Sequence, residues 1–197
     1  MERQAGAAMV ASPPQHFSNE QLGLIASLTD VAEEAIAGHY KIGMKEWRHC
    51  RYDIRTQRDE AQPPQATEAF AEVSRYECVA LPDSRQARRF DLYRIRIYDA
   101  AILHALHNRQ ALHEFEPLLL YILTHELVHV VRFGRMNQAF WVSPKERQAE
   151  EARVHKVTHD ILRALAFQRL PSILNHYAGF CALPALPARK GLGKAGP

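Results

Sequence analysis

Residues 118–133 read LLLYILTHELVHVVRF. Leu118, Leu119, Leu120, Ile122, Leu123, Leu127, Val128, Val130 and Val131 are apolar almost all the way round a helical period. A helix of that kind has to be wrapped by other elements, so the rest of the fold must be arranged around it. Pro117 suits its first turn and Gly134 its end, which predicts a buried helix between them. Yet His125, Glu126 and His129 lie at its centre. A buried imidazole or carboxylate without a partner is costly, so the triplet needs one.

Its spacing points to a metal ion as that partner, ahead of hydrogen-bonded core histidines. The three residues spell H-E-x-x-H. Positions four apart lie one above the other on a helix, so both imidazoles can reach one ion. Glu126 sits about 100° round from His125, beside such an ion rather than on it. From there it can take a proton from a water that zinc has made acidic.

The whole chain sets few other limits. Its 197 residues suit one domain with loose ends, and nearly half are apolar. The net charge of +3 is mild, and Arg and Lys are mixed with Asp and Glu, so nucleic acid is not indicated. Ala7 to Ala11 is too short for the apolar core of a signal peptide, and Glu2 stands in what would be its basic end. The longest apolar run is broken by the triplet, so no membrane span is expected. Cys50, Cys78 and Cys181 show no paired spacing, which points to a reduced, cytoplasmic setting.

Along the chain, residues 1–16 read as disordered, 17–180 as a single domain and 181–197 as a flexible basic tail. A helix is predicted from Ser18, whose spacing to Gln21 is that of a capping box. Its apolar face is Leu22, Ile25, Leu28, Val31, Ala32 and Ala35, and Gly38 is the expected stop. Strands are predicted at 50–56, 70–81 (read as strand rather than short helix) and 89–100, with loops at 61–66 and 82–88. In the third strand Tyr93, Ile95 and Ile97 alternate with Arg94 and Arg96. So wet a face suggests a sheet edge. A short helix follows at 100–108. After the central helix, Ser143, Pro144 and Glu146 form a helix start, and that helix is expected to reach about Gln168.

HELVH on a buried helix resembles the active-site helix of the zincin metallopeptidases. The preceding strand, LYRIRIYD, is similar to the edge strand on which they hold a peptide. The resemblance covers residues 90–166, and its sharp part is the five-residue motif. It implies that His125 and His129 bind Zn2+ and that Glu126 is the general base. The metzincin continuation is absent, because Arg132 and Arg135 stand where that pattern has glycine and histidine. What remains resembles a gluzincin, whose third ligand is a glutamate of the following helix.

That helix offers several candidates. Glu146 has a sufficient task as a capping residue. Glu150 and Glu151 flank the apolar stripe Val154, Val157, Ile161 and Leu165 on opposite sides, so periodicity does not separate them. Glu151 has His155 one turn on, which favours it as the ligand with His155 as an oriented neighbour, a ligand itself or an oxyanion stabiliser. His176 and Tyr177 are candidates for electrophilic helpers. His104, His107 and His113 show no ligand-like pattern, and Trp47 and Trp141 read as core or rim.

The expected fold is α+β and zincin-like: an N-terminal helix, a small mostly antiparallel sheet, the active-site helix and the glutamate helix. The expected function is a zinc-dependent metalloendopeptidase acting on a peptide or protein substrate. The alternatives are a non-catalytic zinc-binding interaction module on the same scaffold and a metal-dependent hydrolase of non-peptide substrates.

Overall fold

The computed structural model describes residues 16–47, 49–59, 69–80, 88–108, 114–135 and 143–181. The predicted disordered start, the loop at 61–66, most of the loop at 82–88, His113, Trp141 and nearly all of the tail lie outside these residues. The described chain is α+β. Six α-helices (α1 Asn19–Tyr40, α2 Met44–Trp47, α3 Asp99–Asn108, α4 Phe115–Arg135, α5 Pro144–Leu162, α6 Leu170–Tyr177) accompany three strands (β1 Tyr52–Thr56, β2 Ala71–Ala80, β3 Arg88–Ile97).

The apolar stretch forms α4, and α4 is the centre of the molecule. Leu118, Leu119, Leu120, Leu123, Leu127, Val128, Val130 and Val131 are fully buried. One side packs against α1, α5 and α6, the other against β2 and β3. The helix begins at Phe115, so Pro117 stands in the first turn, where its missing N–H leaves no intrahelical bond unmade.

Helix α1 starts with the expected capping box: Gln21 N–H donates to Ser18 Oγ, and Ser18 N–H to Gln21 Oε1. Its most deeply buried row is Leu28, Ala32 and Ile36, with Leu22, Ile25, Val31 and Ala35 partly buried beside it. It runs past Gly38 to Tyr40, where Lys41 takes the left-handed conformation (φ 55°) and donates to Ala37 O. Helix α5 also has its expected capping box at Ser143 and Glu146, but it ends at Leu162, not near Gln168. Leu165 N–H bonds to Leu162 O in a tighter turn, and the chain reverses into α6, which buries Leu170, Ile173 and Leu174. No glycine or proline marks that reversal; Pro171 comes only inside α6.

The sheet corrects two expectations. Its order is β1-β3-β2, so β3 is the central strand and not an edge. It is mixed rather than mostly antiparallel: β1 runs parallel to β3, and β2 antiparallel to it. The alternation itself is as expected, with Tyr93, Ile95 and Ile97 buried. Arg94 and Arg96 remain on the other face because neighbours neutralise them. Arg94 pairs with Asp53 of β1 at 2.9 Å and Arg96 with Glu72 of β2 at 2.5 Å. A charged face reports exposure above the sheet, not position within it. No described helix is long and apolar enough to cross a membrane.

Candidate metal centre

Two helices build the site. On α4, His125 and His129 are one turn apart, and their Nε2 atoms are 3.2 Å from each other. From α5, Glu151 Oε2 reaches 3.5 Å from His125 Nε2 and 3.3 Å from His129 Nε2. The three atoms thus form a nearly equilateral triangle. Ligand atoms around a tetrahedral zinc at its usual bond length are separated by about 3.3 Å. The donor set, two imidazoles and a carboxylate, also suits zinc.

The other ring nitrogens are less well provided for. His125 Nδ1 and His129 Nδ1 are buried and have no hydrogen-bond partner among the described residues. The supporting bonds expected for those nitrogens are therefore not seen there. Both Nε2 atoms and the Glu151 carboxylate oxygen converge on one point, where a cation would be shared by all three.

Glu150 and Glu151 part company at this place. Glu150 is the buried one, only 4% exposed. It turns from the histidines toward Arg132, which donates through Nε and also through Nη2 at 3.0 Å, while Arg153 Nη1 adds a bond at 2.8 Å. Glu151 is the more exposed one, and its carboxylate meets both imidazoles. Glu146 is fully used in capping: it accepts from Ser143 N–H at 2.9 Å.

His155 also comes to the site, with a ring nitrogen within 4.8 Å of ligand atoms of both His125 and Glu151. Its Nδ1 lies 2.8 Å from the Tyr121 hydroxyl. Tyr121 stacks on Tyr177 with 4.3 Å between ring centres, and Phe180 flanks His155 at 5.4 Å. Tyr177 therefore reaches the rim, and His176 meets Tyr177 edge-on without a contact to the site's histidines among those described. Tyr121 was missed by sequence reasoning, although a signal existed: it stands four residues before His125 and so on the same face. His104 is exposed and bonds Asn108, and His107 is exposed too. Trp47 is partly buried against the core.

Burial dominates the electrostatics. It pushes the His125 pKa down to about 4, with Glu151 opposing, so this imidazole is neutral at pH 7. Burial also acts against charge on His129, but Glu151 outweighs it and raises that imidazole above its ordinary value. Glu151 is itself burdened by burial, yet the two histidines hold it well below the usual carboxylate range. Glu126 is 8% exposed. Burial raises its pKa to about 7, with His129 opposing and Glu151 and Glu72 adding to the rise. A carboxylate in that range suits proton transfer at neutral pH.

Compared with known proteins, the chain matches no family model, no curated protein and no solved structure.

Proposed function

We propose that the protein is a zinc-dependent metallopeptidase of gluzincin-like build, with His125, His129 and Glu151 as the metal ligands. The observation that carries this reading is the triangle of Nε2, Nε2 and Oε2 atoms, 3.2 to 3.5 Å on each side. That set would hold a zinc ion, which would supply a Lewis acid and bring the pKa of water near neutrality. Glu126, on the same helix but turned aside, takes the proton from the attacking water and delivers it to the leaving amine. His155, whose Nδ1 meets the Tyr121 hydroxyl, is assigned the role of donor to the developing oxyanion.

The substrate strand is assigned to the outer edge of β2, not to β3. Two observations favour this: β2 stands at an edge of the described sheet, and it packs against α4. Backbone pairing to a strand edge is a common way to hold an extended peptide. Cys50, Cys78 and Cys181 are all free thiols, which suits a cytoplasmic setting.

A second reading rests on His155. Its nearness to His125 and Glu151 would let it serve as a fourth ligand, and a closed site would make a zinc-binding interaction module. The test is cleavage of a pool of unstructured proteins by the zinc-loaded chain and by Glu126→Gln. The peptidase reading expects cleavage by the first and a loss of about 10² or more in the second. Equal cleavage by both defeats the assigned mechanism. No cleavage by zinc-loaded wild type leaves the module as the better account.

A further inference from the structure

We infer that Arg132 and Glu150 are positioning residues whose buried ion pair fixes the register of α5 on α4, so that Glu151 and not its neighbour faces the two histidines. The inference rests on the zinc reading above and deepens it.

Two contacts join the same stretch of the two helices. His129 meets Glu151 at 3.3 Å, and Arg132 meets Glu150 through both Nε and Nη2. On α4 the two anchors are three residues apart, close to one turn. On α5 they are adjacent residues, about 100° apart around the axis. One contact would leave α5 free to roll about it. Two contacts at different azimuths fix both the rotation and the axial position.

The charges make the arrangement exclusive. If α5 rolled by one residue, Glu150 would take the place of Glu151 at the imidazoles. Arg132, whose side chain is 11% exposed, would then lose its carboxylate in a site that water barely reaches. Leaving one partner of a buried pair behind is far more costly than removing both. A side-on guanidinium–carboxylate fork is also directional, which a single lysine contact would not be. Setting register is the best-attested use of a buried polar pair. Arg153 supports the same carboxylate from the next turn of α5, so Glu150 cannot swing out without breaking a third bond.

The full-length chain tests this with a double apolar variant, Arg132→Met with Glu150→Leu. Removing both charges together leaves no buried ion alone, so the fold is kept. Three measurements are made: the melting temperature of the zinc-free protein, the zinc dissociation constant by competition with a chromophoric chelator, and the visible spectrum after cobalt substitution. The expected result is a zinc-free melting temperature close to wild type. Zinc should bind about tenfold or more weakly, as for residues that orient ligands. The cobalt spectrum should shift toward that of Glu151→Ala. Glu150→Gln, which keeps the side-chain volume and one acceptor for Arg132 but removes the charge pair, should move both metal readouts in the same direction. It carries the test if the double variant does not fold. Wild-type zinc affinity and an unchanged cobalt spectrum in these variants overturn the register role and leave the zinc site standing. A wild type that takes up no zinc overturns both.

Discussion

Glu151 Oε2 stands 3.3 Å from His129 Nε2 although nearly half of the Glu151 side chain is exposed, at 46%. Its buried neighbour Glu150 faces Arg132 instead. Burial alone would have picked Glu150 for the histidine cluster. The exposed carboxylate leaves that cluster open to solvent, as the proposed reading requires, whereas the buried glutamate is satisfied by arginine.

Replacement of single glutamates on α5 should therefore have graded effects on metal. Glu151→Ala is expected to weaken zinc by the largest factor, Glu150→Ala by about tenfold through lost orientation, and Glu146→Ala hardly at all. Chelator competition on the three purified variants gives the order. A Glu150→Ala protein that loses more zinc than Glu151→Ala would reverse the assignment.

Glu146 should show its effect in stability instead. Its carboxylate accepts from Ser143 N–H and holds the first turn of α5. Glu146→Ala should lower the urea midpoint slightly, with unchanged slope.

Asp99 is a larger structural liability. It is fully buried, and its oxygens accept from Phe17 N–H at 3.2 Å and Gln57 N–H at 3.3 Å. It thereby ties the start of α1 and the turn after β1 to α3. Asp99→Ala leaves both donors without that acceptor and should cost about 2–3 kcal/mol, measured by the same urea titration.

How far all this was legible in the sequence depends on what kind of signal each feature leaves. Periodicity and spacing are local, so α4, the two capping boxes and the pairing of His125 with His129 could be read directly. The place of β3 could not, because Arg94 and Arg96 are neutralised by Asp53 and Glu72, residues far away in the chain. The end of α5 leaves no breaker residue to read. Glu150 and Glu151 flank one stripe equally; His155 one turn on favours Glu151 from the sequence, but the partner that draws Glu150 away, Arg132, lies on another helix.

Acid should act on the sheet through Asp53. Burial raises its pKa, but Arg94 and Arg55 outweigh this and hold the carboxyl below its ordinary value. The folded pKa lies below the unfolded one, so the bridge adds stability above about pH 4 and loses it as pH falls through the folded pKa. For so accessible a pair the contribution is about 1 kcal/mol or less. Metal-free wild type should thus lose more stability than Asp53→Asn between about pH 5 and pH 3 in urea titrations. Parallel losses would remove Asp53 from the acid response.

Zinc stoichiometry tests the central claim most directly. Wild-type chain and His129→Ala are loaded with zinc, dialysed against metal-free buffer and analysed for metal and protein, with circular dichroism confirming that both are folded. The account predicts one zinc per wild-type chain and far less in the variant. A folded wild type without stoichiometric zinc, or a His129→Ala protein that keeps its full complement, would contradict it.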